Sequence, residues 1–336
     1  MVEYRDFYKG FKLISVKNSK GLEVTLSSFG ASFRSIKLNG RELTLTPLEP
    51  KEFIMGYQGK TIGRSSGRIE NATYTLNGRT AVLGKNSSGV DNNHGAAAGF
   101  NSKLFEAMVK ENLEYTDVEF RYFSPDMDGG YPEDVFVKIT YRIFMQENRI
   151  DILMDGETEN VAMLNMTNHV FWNLNGDLCE PIFNHELYIN ADTYGVVNER
   201  TLVVRREHDY RFDFTRPMRV GEHINDKEVQ ENTRGYDHPF YLNERGLNKP
   251  CAIMYSPLSK IKLTVHTTYP CVVVYSNNWA DPAMRVLEDV YDMKHLAICL
   301  ECQYAPNSIN TNPKEAGVFS KEEPFHEEIS FKFNQE

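Results

Sequence analysis

Apolar and polar residues alternate in short runs along almost the whole chain. FKLISVKN, LEVTLSSFGASFRSIKLNG, ATYTLNGRTAVL, VFVKITYRIFM, RIDILMDGET, KIKLTVHTT and CVVVYSNN are rich in branched and aromatic side chains and are broken by turn residues. A two-residue period of this kind is that of a strand with one face toward a core. Sustained helical periods are missing, and the one helix the pattern suggests is short, around Asp281 to Met284. Asn39-Gly40 and Asn77-Gly78 lie between extended runs and predict two tight antiparallel hairpins, whose central positions need positive φ. No linker, repeat or change of composition divides the series. The expectation is an all-β fold: a large, mostly antiparallel β-sandwich, formed as a single domain over residues 1–336.

Against that pattern, a few polar residues stand where strands should be greasy. LAICLECQYAPNSIN places Glu301 inside an apolar run with Cys299 and Cys302 around it. On a regular strand the two cysteines point to opposite faces, so they neither share a metal nor pair easily, while Glu301 shares its face with Cys299 and Gln303. A carboxylate there is costly to desolvate unless it is paired or opens onto a cavity, which marks it as a candidate site. In MLNMTNHVFWNLNG, Asn165, Thr167, His169 and Phe171 share one face and Leu164, Met166, Asn168, Val170 and Trp172 the other. His169 is thus presented among polar neighbours, and imidazole suits proton transfer near neutral pH. Arg64 and Arg68 lie beside glycines in GKTIGRSSGRIE, His94 sits in the loop GVDNNHGAAAGF, and Asp237 precedes His238 in GYDHPFYLN.

Charge narrows the partners. With 37 basic and 47 acidic residues the net charge is −10, spread without a basic cluster, so neither nucleic acid nor a membrane surface is an expected partner and a small neutral molecule is. The N-terminal residues MVEYRDFYKG lack an apolar export segment, no run is long enough to span a bilayer, and the five cysteines are scattered, so a cytoplasmic protein with reduced thiols is expected.

Taken in order, GRSSGRIENATYTLNG, NNHGAAAGF, TNHVFWNLNG, YDHPFYL and ICLECQYAPNSIN resemble the galactose mutarotase (aldose 1-epimerase) family, as does the early SFGASFRSI, and the likeness runs over nearly the whole chain. The resemblance implies a large β-sandwich with a sugar in an open cleft. By position it implies Glu301 as general base, His169 as general acid, and Arg68, His94 and Asp237 as the sugar-binding set, with Arg64 structural. The reaction implied is interconversion of the α and β anomers of a free aldose such as galactose or glucose. The base takes the C1 hydroxyl proton, the acid protonates the ring oxygen, the C1–O5 bond opens, and the ring recloses on the other face. That scheme calls for no metal and no cofactor.

A carboxylate beside His169 is expected to raise its pKa above the ordinary value of about 6.5. Trp172 and Trp279 are candidates to stack on the sugar. The chain departs from the family pattern at Gly67, at Ala96, at Phe171-Trp172 and at Val273, where an apolar residue replaces a common glutamine; these bear on which sugar is preferred. The rival readings are a sugar-binding protein without catalysis, a glycosidase using Glu301 and Asp237, and a metal site built from His94, His169 and Glu301.

Overall fold

A computed structural model describes residues 2–336 and realises the expected sandwich. Val2–Asp6, Lys12–Lys17, Leu22–Ser27, Ser32–Leu38 and Arg41–Glu42 form an antiparallel meander. Facing it is a nine-stranded antiparallel sheet in the order Glu106–Glu111, Tyr115–Ser124, Val135–Phe144, Arg149–Glu157, Phe325–Gln335, Ile261–Thr267, Ala252–Tyr255, Glu186–Ile189 and Met218–Arg219. Alternate residues of the two sheets meet in one core: Val16, Val24, Leu26 and Phe33 from the meander, Phe120, Ile139, Ile152 and Phe331 from the large sheet, all essentially without solvent contact. This is the apolar alternation of the sequence turned into layers. Both Asn-Gly pairs form tight turns with positive φ, 51° and 83° at Asn39 and Gly40, 49° and 76° at Asn77 and Gly78.

The expected helix at Asp281–Met284 is a turn instead. The Asp281 side chain accepts from the Ala283 N–H at 2.9 Å and its carbonyl from the Met284 N–H at 2.9 Å, after which the chain enters the strand Arg285–Leu287. Asp and Pro at 281 and 282 favour such a local turn over a propagating helix. The helices Pro50–Met55, Lys227–Gln230 and Ser308–Thr311 are single turns or little more, between strands, too short to leave a periodic signal. No helix among the described residues is long and apolar enough to cross a membrane.

Two features carry the site. A third sheet runs Val203–Glu207, Thr193–Val197, Asp237–Tyr241, Cys271–Tyr275, Cys299–Gln303, again antiparallel. Across its Cys299–Gln303 edge runs the segment 164–172, which laces the sheets together: Thr167–Asn168 pairs with Thr61–Ile62, and Trp172 bridges to Thr44 on one side and Ile298 on the other. Its alternation is as expected, with Leu164, Met166, Val170 and Trp172 in the main core. The regular ladder is only two residues long, because the partners on either side are short segments.

Under this segment lies Lys60, wholly buried. Its Nζ donates to the Ile54 carbonyl at 3.1 Å and faces the rings of Phe29 and Phe53 at 4.7 and 5.2 Å, with no carboxylate in ion-pair reach among the described residues. Burial holds its pKa down to about 7. The unfolded chain therefore binds a proton more tightly than the folded one between that value and the ordinary lysine value of about 10.4, so folding stability rises with pH across this window. Lys60→Met, which keeps the length without the charge, is expected to stabilise the protein by on the order of 3 kcal/mol at pH 7, the linkage cost of the lowered pKa, and to flatten the rise between pH 7 and 10. Denaturant titrations of both proteins across that range read the difference.

Candidate active site

A cavity of about 370 Å³ opens where the third sheet, the 164–172 segment and the loops after Pro50–Met55 and Arg68–Ile69 converge. All five residues singled out by sequence, Arg68, His94, His169, Asp237 and Glu301, line it. They come from distant parts of the chain, and each is delivered by a different element.

Glu301 projects from the middle of Cys299–Gln303, opposite Val273 in the ladder. Cys299 lies on one side of this strand with Leu45 and Phe171, and Cys302 on the other in the main core, so the two sulfurs face apart; all five cysteines are free. His169 is fixed by its backbone, which donates to the Lys60 carbonyl and accepts from the Gly59 N–H, both at 2.8 Å. Its ring is clamped by Phe171, stacked at 4.9 Å, and by Tyr57, near-parallel at 6.2 Å. His169 Nε2 then stands 3.6 Å from Glu301 Oε1, with both side chains almost wholly out of water.

The remaining three surround that pair. His94 adopts a left-handed backbone, φ 53°, followed by Gly95 at φ 75°, which turns the loop so that Nδ1 accepts the Gly67 N–H at 3.2 Å. Nδ1 being an acceptor, the neutral ring carries its proton on Nε2 as a donor. Arg68, on the short strand paired with Asn92–Asn93, lies with Nη1 3.8 Å from Asp237 Oδ2. Asp237 begins the strand Asp237–Tyr241. Arg64, only four residues from Arg68, is elsewhere: its buried guanidinium donates to Ser124 Oγ and to the carbonyls of Ser124, Pro125 and Pro132, a structural role as expected.

Desolvation dominates the electrostatics. Burial raises the Glu301 carboxyl well above the carboxylate range; the negative charge of Asp237 pushes the same way, and Arg68 opposes both. Burial likewise raises Asp237, again opposed by Arg68. His169 is lowered to about 3 by burial, and His94 is held well below the ordinary imidazole value by burial together with the positive charges of His169 and Arg68. The expectation that a neighbouring carboxylate would raise His169 is therefore overturned: the loss of water around a fully enclosed ring outweighs the pull of a carboxyl that is itself pushed toward neutrality. Burial therefore opposes charge on both members of the pair, favouring a protonated carboxyl beside a neutral imidazole. The donor atoms of His94, His169 and Glu301 also lie within 4.8 Å of one another, the separation of a two-histidine, one-carboxylate metal site.

Several walls of the cavity were not singled out in the sequence. Tyr57, Tyr275, Asn93 and Pro306 line it, as does Gln303, which shares the Glu301 face by strand alternation. Val273 is there too, at the position that departs from the family pattern. The two tryptophans part company. Trp172 is fully buried, its ring 5.1 Å from Phe331, and belongs to the core rather than to a sugar platform. Trp279 stands at the lip, 61% exposed, with the Arg234 guanidinium 4.0 Å over its ring.

Residues 12–332 match the family described as aldose 1-epimerase. The chain is 31% identical to aldose 1-epimerase of Escherichia coli over 89% of its own length and 88% of that protein's. It is 29% identical to galactose mutarotase of Sus scrofa, over 87% of this chain and 85% of the relative. Its fold is that of the crystal structure of galactose 1-epimerase from Lactobacillus acidophilus, with a TM-score of 0.87 at 24% identity, covering 99% of this chain and 98% of that one.

A carboxyl whose folded pKa is raised contributes stability that is present below its unfolded value and lost as pH rises through the folded value. Glu301→Gln keeps the shape and removes the titration. It is expected to raise Tm by roughly 2–5 °C above the parent at pH 7 to 8, with the advantage vanishing below about pH 4. Thermal melts followed by circular dichroism across this range check both the gain and its disappearance.

Proposed function

The chain belongs to the aldose 1-epimerase family and is an isomerase of free aldoses, and from that premise we propose that Glu301 is the base and His169 the acid of the anomer interconversion. The observation that carries this reading is the 3.6 Å separation of Glu301 Oε1 and His169 Nε2 at the floor of the cavity. The hydroxyl proton to be removed and the ring oxygen to be protonated belong to oxygens bonded to the same carbon, so acid and base must stand side by side. Two carboxylates spaced to flank a glycosidic bond would be a different arrangement.

Burial by itself favours the neutral arrangement, with the shared proton on Glu301. A bound aldose offers a hydroxyl donor to the carboxylate and a ring-oxygen acceptor to the imidazolium, so the charged arrangement gains on binding. Proton transfer to the sugar then discharges both groups at once: Glu301 receives the C1 hydroxyl proton, His169 gives its own to the ring oxygen, and C1–O5 breaks. The pair is left in the neutral state that burial favours, which assists the opening step. Rotation about C1–C2 and the reverse transfers yield the other anomer. Arg68, His94 through its Nε2 donor, and Asp237 hold the remaining hydroxyls while the chain is open, which keeps the aldehyde within reach of the same two groups. The substrate proposed is a free hexose of the galactose or glucose type.

Activity requires one proton on the pair, so the pH profile belongs to the pair as a unit. The acid limb, where a second proton is added, should fall well below neutrality, following the lowered histidine at about 3. The alkaline limb, where the shared proton is lost, should lie above the ordinary carboxylate range, following the raised Glu301. Glu301→Gln and His169→Asn should each lower the polarimetric rate on fresh α-galactose by about 10²-fold or more while sugar binding persists. Prolonged chelation should leave the parent rate unchanged; a loss restored by one metal would move the three-residue cluster from proton transfer to metal chemistry. A folded Glu301→Gln protein turning over at the parent rate would refute the assignment of the base.

A further inference from the structure

We propose that Gln303 is a substrate-binding residue, its amide recognising a ring hydroxyl on the C3 or C4 side of the bound aldose. The side chain has no solvent exposure, and neither Nε2 nor Oε1 has a hydrogen-bond partner. An amide buried in that state costs stability unless something else completes it. Gln303 lines the same cavity as the acid–base pair, so the missing partner is to be sought there.

Its position says which part of a sugar it meets. Gln303 lies two residues beyond Glu301 on the same strand face, opposite Cys271 in the ladder, about 7 Å further along. With Glu301 at the C1 hydroxyl, that displacement carries across a pyranose ring toward its far side. The neighbouring wall is kept open by Gly67, whose backbone has φ 69° and on which a Cβ would meet Pro306 at 2.7 Å and come within 3.5 Å of Gln303 Nε2. Val273, facing Glu301 across the ladder, offers no polar group. On the other side of Glu301 the hydroxyl of Tyr275 already accepts the Trp279 N–H at 3.2 Å, whereas the amide of Gln303 lacks both partners, and a hydroxyl, donor and acceptor at once, matches it.

This inference rests on the reading of the cavity as the aldose site, and the experiment separates the two. Gln303→Met retains the length and deletes both amide atoms; Gln303→Leu is the second variant should methionine disturb folding. Affinity is read by calorimetry in a Glu301→Gln background, so that turnover does not enter, using galactose and its 2-, 3-, 4- and 6-deoxy derivatives. The substitution should weaken galactose, 2-deoxygalactose and 6-deoxygalactose by about 3–12-fold, and should leave either the 3-deoxy or the 4-deoxy sugar unaffected, since that sugar already lacks the partner.

With Glu301 intact, KM should rise by the same factor, kcat should fall by much less, and the pH profile should keep its limbs. The melting temperature of the sugar-free protein should not fall, because an unpaired amide has been removed rather than a satisfied one. Equal affinity for all five sugars in variant and parent would overturn the proposal, as would an equal loss for all five, which would make Gln303 a support for the wall. Loss of turnover in Glu301→Gln tests the base independently of either result.

Discussion

A carboxyl and an imidazole taken out of water and held within a few ångströms of each other set the terms for everything around them. In solvent neither would depart far from its ordinary behaviour. Enclosed, each resists charge, and their protonation becomes a joint property, with Arg68 and Asp237 placed to adjust the balance from opposite sides. Under the proposed mechanism the enclosure assists the pair, because proton exchange with a sugar would relieve the cost of solvation that the fold imposes on both charged forms. It also explains why the surroundings are stiff. A ring clamped between Phe171 and Tyr57 and a carboxyl on a laddered strand cannot swing out to recover water.

That rigidity is produced by antiparallel pairing over long stretches of sequence. His169 is held through Gly59 and Lys60, Glu301 through Val273, Arg68 through Asn93, and His94 through Gly67. None of these partners is a sequence neighbour. The floor of the cavity is where short ladders from different sheets meet, which is why the segment 164–172 shows strand-like alternation without being a long strand.

Much of this was legible in the chain, and the boundary of legibility has a physical cause. Strand runs, Asn-Gly hairpins and the opposite facing of Cys299 and Cys302 follow from local geometry, so they could be read directly. Glu301 and His169 stood out because polar groups on apolar strands are costly. Arg68, His94 and Asp237 gained meaning only as an ordered set, since each motif alone is ambiguous. What escaped were matters decided by the third dimension. The direction of the His169 shift depends on how completely its ring is enclosed, whereas the turn at Asp281 was signalled locally by Asp281 and Pro282, and the core position of Trp172 by its place on the apolar face of the 164–172 segment. Gln303 lay in plain view beside Glu301, but its lack of a partner is a property of its neighbours.

The place of the strand Phe325–Gln335 has a consequence for how the molecule is made. It lies between Arg149–Glu157 and Ile261–Thr267, both of which are synthesised before it. Until it arrives, each of those strands presents a bare edge, and the large sheet exists as two halves with nothing between them. A nascent chain in that condition can recruit a strand from another chain as readily as wait for its own. The last ladder to close is therefore the one that protects the protein during its own assembly, and a chain broken off shortly before Phe325 would lose solubility before it lost any residue of the cavity.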